Sequence, residues 1–223
     1  MSKSRASFIA LAAILIALTT VFTLVIRVPI TATGGYLNFS DAVIYFASFT
    51  FGPWIGLIAG GIGTGLADLL GGFAAFAPLS LLAHGLEGLA VGLIAGGIGA
   101  GLADLLRGFA AFSPILSFPP LASRIESLMA RLEARTAGTI VQKRTPLRLA
   151  LGWLAGTIVM VGIYFLGEGL FYGIGWGAAL AEVPWNLLQN LVGGLVGIPL
   201  FYAVRKAYPP ITRMGQPSEW REG

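Results

Sequence analysis

Apolar residues run along this chain in blocks about as long as a membrane helix, and breakers separate them. The blocks fall at about 8–28, 39–51, 53–71, 78–98, 148–168 and 180–204, most of them near the roughly 20 residues that carry a helix across about 30 Å of hydrocarbon. None alternates with the period of two expected of a membrane-barrel strand. The second block is short, and Gly52-Pro53 forces a tight turn directly after it, with Ser40 or Asp41 read as the N-cap of its helix. The first block is long for a signal-peptide core, and VIRVPITATGG after it offers no convincing small-residue cleavage site, so it is read as the first span. The pattern predicts an all-α integral membrane protein of six transmembrane helices in one membrane domain, 1–223.

Residues 99–147 have a different pattern. From Leu102 the apolar positions Leu102, Leu105, Leu106, Phe109 and Phe112 recur at helical spacing with Asp104 and Arg107 away from them, which predicts an interfacial helix. After Pro119-Pro120, Ser123 to Glu126 fits a capping box, and Leu121, Ile125, Leu128 and Leu132 form a stripe between charged positions. A cytoplasmic amphipathic insertion between helices four and five follows.

Part of that insertion is a repeat. GLIAGGIGTGLADLLGGFAAFAP, from Gly56 to Pro78, returns as GLIAGGIGAGLADLLRGFAAFSP from Gly92 to Pro114, changed only at Thr64/Ala100, Gly71/Arg107 and Ala77/Ser113. Were the second copy another full span, the basic stretch from Arg124 to Arg144 would lie outside the cell, against the inward bias of Lys and Arg. The copies are therefore read as inequivalent: the first is the third span, while 92–98 end the fourth and the rest emerges at the cytoplasmic interface. A local duplication in a loop that lengthens cheaply accounts for this.

Composition agrees with the pattern. At 56% hydrophobic and 11% charged, with 32 glycines, the chain has too little polar surface for a soluble globule. With the N-terminus inside, Lys3, Arg5, Arg107, Arg124, Arg131, Arg135, Lys143, Arg144, Arg148, Arg205, Lys206, Arg213 and Arg221 all fall inside and Arg27 alone outside. Both termini are thus expected in the cytoplasm of a multi-pass plasma-membrane protein, and the net charge of +4 reflects topology, not a nucleic-acid partner. Cysteine is absent, which excludes disulfides and thiolate metal sites. GGIGTG lacks the spacing and strand-to-helix setting of a dinucleotide loop, and no G-x-x-x-x-G-K-[ST] occurs, so the chain carries no nucleotide engine. Gly56 with Gly60, Gly61 with Gly65, Ala13 with Ala17, and Gly193 with Gly197 instead form small-residue faces for close helix packing.

Ionisable and amide groups at membrane depth are the candidate chemistry. His84 and Glu87 share a face of the fourth helix; Glu182, Asn186, Gln189 and Asn190, beside Trp185, stripe the outer half of the sixth; Glu168 ends the fifth. Asp41 is read as a cap, and Asp68, at the unfavourable C-terminal end of its helix dipole, requires a partner. These helices and the VPITATGGYLNFSD loop, with Tyr36 and Asn38, converge on one outward-facing pocket in which Tyr36, Phe39, Tyr172 and Trp185 are placed to stack on a ring. Individually the groups also admit structural roles: His84 with Glu87 as a self-satisfied pair, Asn186 and Gln189 as interhelical bonds, Glu168 and Glu182 as wet helix ends. Two other functions stay open, a stand-alone facilitator or channel and an intramembrane enzyme using Glu87 and His84 as an acid–base pair. No nucleophile–base pair or metal-ligand cluster accompanies the latter.

The motifs GGYLNFSDAVIYFA, FGPWIGLIAGGIGTGLADLLGG, HGLEGLAVGLIAG, YFLGEGLFYG and AEVPWNLLQNLVGGLVGIPLFYAVRK resemble those of the substrate-binding S components of energy-coupling factor (ECF) vitamin transporters, of the riboflavin and hydroxymethylpyrimidine type. The resemblance covers all six predicted spans. It implies a six-helix protein that takes a vitamin or precursor from outside and works with a transmembrane T component and two ATPase subunits, which use ATP, so no cofactor is expected in this chain. It further implies that Ala13 and Ala17 meet the T component and that residues 29–38 close the pocket, in which Tyr36, Asn38, His84, Glu87, Glu168, Trp185, Asn186 and Gln189 are read from their own chemistry as the substrate-binding residues. Two departures stand out: a lysine is common in the family where His84 stands, and the 99–147 insertion is unusual. Glu87, Glu168 and Glu182 disfavour a dianionic ligand, so a neutral or donor-rich planar ring such as hydroxymethylpyrimidine, riboflavin or a pyridoxine-like ring is expected.

Overall fold

The computed structural model describes residues 3–31, 34–112, 119–137 and 144–213. Its helices are α1 (Lys3–Val25), α2 (Ser40–Phe51), α3 (Pro53–Gly71), α4 (Ala77–Gly96), α5 (Ile98–Phe112), α6 (Pro119–Ala137), α7 (Pro146–Leu170) and α8 (Trp176–Ala207), followed by a short 3-10 turn, Pro209–Arg213. Between α1 and α2 two short strands, β1 (Val28–Pro29) and β2 (Tyr36–Leu37), pair antiparallel with Val28 opposite Leu37 and Pro29 opposite Tyr36. Five helices, α1, α3, α4, α7 and α8, are long and apolar enough to cross a membrane. Their outer faces carry Ile14, Leu69, Leu70, Leu82, Leu154, Ile158 and Leu195, all exposed, the reverse of a water-soluble surface. The molecule is an all-helical membrane protein.

Helix α2 has only 12 residues, about 18 Å at 1.5 Å per residue. Short as it is, 11 of those residues are buried, Phe46 being the exception, so it sits among its neighbours and not against lipid. Val43, Ala47 and Phe51 pack with Phe8, Ala12 and Leu15 of α1 and Ile55 and Ala59 of α3. Its other side sends Tyr45 and Phe49 against Val91 and Ala95 of α4, Leu149 of α7 and Phe201 of α8. One central helix thus ties two apolar clusters together, and α3 lies along α4, α4 along α7 and α7 along α8 around it.

The α3–α4 contact depends on missing side chains. A Cβ on Gly56 would stand 2.6 Å from the carbonyl oxygen of Gly88, and one on Gly61 would stand 2.8 Å from that of Leu81. Backbone-to-backbone approach of this kind replaces the hydrophobic drive that helices lack inside lipid. On α1, Ala13 and Ala17 lie on the exposed face, opposite the buried Phe8, Ala12 and Leu15.

The two copies of GLIAGGIG fold differently. In the first, residues 56–63 run through the middle of α3 without a break. In the second, α4 ends at Gly96, Gly97 adopts φ +88°, and α5 starts at Ile98. Gly61 is clamped along α4, whereas its counterpart Gly97 has only the Arg148 side chain, 3.4 Å from its virtual Cβ, and Gly96 faces open space. Where no helix holds the glycines, the chain turns at the one residue type that enters positive φ without strain. The break falls where the sequence pattern ends the fourth block. Gly108 of α5 then packs on the Trp54 indole at the start of α3, and α5 pairs with α6.

One expected cap is corrected. Helix α6 begins at Pro119, so Ser123 lies inside it and not at an N-cap; the Pro-Pro pair presets the helical φ of the first turn. Thr145, by contrast, caps α7: its hydroxyl oxygen accepts from the Arg148 amide at 3.4 Å, with Pro146 in the first turn. Lys143 and Arg221 lie outside the described residues.

Candidate functional site

At one end of the bundle, under the β1–β2 hairpin, the helix ends part around a narrow cleft that opens to solvent. Helical spacing assembles its walls. Ser80 and His84 on α4, Met160, Tyr164 and Glu168 on α7, and Glu182, Asn186 and Gln189 on α8 repeat every three or four residues, so each set shares one face. The hairpin adds Gly35, Tyr36 and Asn38, and the α3–α4 turn adds Phe73 and Phe76.

The floor is a buried polar network. His84 Nδ1 is 2.9 Å from Glu87 Oε2 and 3.3 Å from Asp41 Oδ1, and all three residues are buried. Gln189 donates from Nε2 to Asp41 Oδ1 at 3.2 Å, while its Oε1 accepts from the Asn38 backbone amide at 2.9 Å. One glutamine therefore joins hairpin, α2 and α8. A proton on His84 Nδ1 serves both carboxylates and leaves the imidazole edge as part of the cleft wall. Asp41, His84 and Glu87 each offer a donor atom within 4.8 Å of the others and are the residues that could hold a metal ion. One layer deeper, Asn190 is structural: the Tyr45 hydroxyl donates to its Oδ1, the Trp153 indole donates to its carbonyl at 2.9 Å, and its own Nδ2 donates to the Asn186 carbonyl at 3.0 Å.

The rim is aromatic. The Tyr36 hydroxyl donates to Asp68 Oδ1 at 2.6 Å, supplying the partner that Asp68 requires. Burial, and then the bond to Asp68, push the Tyr36 phenol above its usual range, so it stays a donor at any physiological pH. The Arg27 guanidinium lies 4.6 Å from the Tyr36 ring centroid and 5.4 Å from that of Phe73, and it donates to the carbonyls of Thr23 and Gly71. The hairpin is thereby fastened to the end of α3. Across the cleft the Tyr164 and Ser80 hydroxyls are 2.8 Å apart, and Phe76 stacks on Tyr172, whose hydroxyl donates to the Ala75 carbonyl at 2.6 Å.

Of the residues singled out from the sequence, Tyr36, Asn38, His84, Glu168, Asn186 and Gln189 line the cleft together. Glu87 does not; it lies beneath His84 and reaches the cleft only through that ring. Trp185 is 45% exposed and lies outside the lining, because a step of one residue from Asn186 turns it by about 100° on the helix. Phe39 and Tyr172 are also outside the lining, Tyr172 standing behind Phe76. Asp41 is not a cap: α2 is preceded by Phe39 with no side-chain capping bond, and the Ser40 amide donates to Asn38 Oδ1 at 2.9 Å, which frees Asp41 to turn inward. Ser80, Met160 and Tyr164 escaped the sequence reading, in which Asp41 is only a cap. Extending the faces of His84 and Glu168 by one turn toward the N-terminus reaches Ser80 and Tyr164.

The cleft contains two facing carboxyl groups, Glu168 and Glu182, and no Lys or Arg among its described lining. Such a lining offers hydrogen-bond acceptors and no fixed positive charge.

Comparison with known proteins leads to the same place. The family model for the ECF-type riboflavin transporter, S component, matches residues 4–95 and 90–206, two stretches that meet where the second copy of the repeat begins. An uncharacterized protein in gap 3'region from Pyrococcus woesei is 30% identical over 192 residues, covering 86% of this chain and 97% of its own. The thiamine precursor transporter HmpT of Lactococcus lactis subsp. cremoris (strain MG1363) is 28% identical over 194 residues, 86% of this chain and 84% of its own. With the family match running through every element that builds the cleft, this chain belongs to the ECF-type riboflavin transporter S components, the substrate-binding membrane subunits of vitamin transporters.

Proposed function

We propose that the cleft under the hairpin captures a single-ring vitamin precursor from outside the cell, hydroxymethylpyrimidine fitting better than riboflavin or a pyridoxine-like ring. The observation that carries this is the lining of the cleft. Phe73, Phe76 and Tyr164 provide flat apolar walls, and Asn186, His84 and the two glutamates provide the polar edges. That a relative covering 86% of this chain is named a thiamine precursor transporter supports the same choice, the pyrimidine being one half of thiamine.

In this reading α2 is a sixth, protein-enclosed span, both termini and the α5–α6 insertion are cytoplasmic, and the membrane is the plasma membrane. Tyr36, Asn38, His84, Glu168, Asn186 and Gln189 bind the ligand, Glu87 orients His84, and the exposed Ala13–Ala17 face of α1 meets a T component coupled to two ATPases. The chain itself is a binding subunit and not an enzyme. The test is uptake of labelled hydroxymethylpyrimidine into proteoliposomes. Uptake is expected only with the T component, both ATPases and ATP present. Transport by this chain alone would make it a facilitator, and chemical conversion of the ligand would make it an enzyme.

A further inference from the structure

Glu168 raises a question that the fold does not answer. The residue is 1% exposed, it lines the cleft, and apart from the carboxyl of Glu182 no group of the described residues reaches its carboxyl oxygens. A buried carboxyl group left in this state strongly opposes folding unless donors reach it. Two donors of the cleft and its rim are committed elsewhere. The Tyr164 hydroxyl, one turn earlier on α7, is engaged with Ser80, and the Arg27 guanidinium is held against Tyr36, Phe73 and two backbone carbonyls at the rim. The group that does face Glu168 is another acid, Glu182 of α8. Two acids side by side, between aromatic walls, call for a ligand edge that donates.

We propose that Glu168, with Glu182 beside it, reads the amidine edge of the substrate: an exocyclic amino group next to a ring nitrogen, as in an aminopyrimidine. This inference rests on the reading of the cleft as the vitamin site. The amino N–H donates to one carboxylate oxygen. The adjacent ring nitrogen, carrying a proton, donates a second, parallel bond to the other oxygen of the same carboxylate. A ring with a carbonyl at that position would set its oxygen lone pairs against the carboxylate oxygens. The same pair therefore selects amino over oxo rings, by the large factor that applies when a site built for an N–H meets a ligand lacking it.

The experiment is calorimetric titration of the purified full-length protein in detergent, freed of bound ligand. The probes are 4-amino-5-hydroxymethyl-2-methylpyrimidine, its 4-oxo counterpart and riboflavin, applied to wild type and Glu168→Gln. The wild type is expected to bind the amino ring at least about 100-fold more tightly than the oxo ring. Glu168→Gln is expected to lose most of that preference or reverse it, because an amide NH₂ can donate to the oxo group. Equal binding of the two pyrimidines by the wild type, or binding of riboflavin alone, would overturn the inference and leave the vitamin cleft standing. So would an unchanged amino preference in Glu168→Gln. No binding of any of the three would remove the cleft assignment as well. Should Glu168→Gln fail to fold, the wild-type comparison of amino and oxo rings decides.

Discussion

Gln189 shows how one residue can carry a site without being its most conspicuous member. Its amide bridges the Asn38 backbone and the Asp41 carboxylate, so it couples the cover of the cleft to its floor. Gln189→Ala breaks both bonds, and ligand affinity is expected to fall about 10-fold or more, given about 0.5–1.5 kcal/mol per neutral bond and more for a bond to a charge. Trp185→Ala, four residues earlier on the same helix but facing outward, is expected to leave affinity within about 2-fold; isothermal titration of both variants measures this. Tyr36→Phe removes the donor to Asp68, which is 3% exposed, and an expected loss of about 1–3 kcal/mol would register as a lower unfolding midpoint. The sign of its pH dependence follows from the raised phenol. The folded state holds that proton more tightly than the unfolded chain, so the stabilisation is complete below the unfolded value of about 10 and lost only as pH rises beyond it. Between pH 5 and about 9 the difference between wild type and Tyr36→Phe should stay constant. Most of the site residues were legible because a polar group at membrane depth is conspicuous. Asp41 was not, since an Asp after Ser at the start of a helix reads as a cap, and only the bond from the Ser40 amide to Asn38 shows the cap is unnecessary.

Helix packing draws on information that the sequence holds only in part. Spans α1, α3, α4, α7 and α8 could be read from apolar length, while α2 could be placed only by its flanking breakers, being too short to stand out by hydropathy. The octapeptide GLIAGGIG is helical throughout in α3 and broken between α4 and α5, which no local propensity distinguishes; the difference lies in whether a neighbouring backbone clamps the glycines. That account has a direct consequence at the α3–α4 seam. Gly88→Ala would drive a methyl into the Gly56 backbone, whose Cα stands 3.0 Å from the virtual Cβ, whereas Gly162→Ala on α7 meets nothing within 4 Å. The first is expected to cost about 1–3 kcal/mol through overpacking, and the second to be neutral or slightly stabilising through helix propensity. Thermal unfolding in one detergent, followed by circular dichroism, compares the two. Equal midpoints would mean that the close approach of α3 and α4 contributes little.

The orientation of the whole molecule is written in its charges and not in its packing. The bundle would hold together equally well inverted, but of the Lys and Arg among the described residues only Arg27 belongs to the hairpin end where the cleft opens. Even that one is absorbed by two aromatic rings and two backbone carbonyls, which makes its position compatible with a site open to the exterior. Since the positive-inside bias acts during insertion, it should place the cleft outside and the basic α5–α6 segment within. The chain contains no cysteine, so single cysteines report without background. Gly177→Cys, at the exposed start of α8 beside the cleft, is expected to react with a membrane-impermeant maleimide on intact cells. Ser127→Cys, exposed on α6, is expected to react only after permeabilisation. The reverse pattern would turn the cleft toward the cytoplasm, where it could not capture a nutrient from outside. Labelling of both sites on intact cells would require an even number of crossings between them, so α7 could not then be a single span separating α6 from the start of α8.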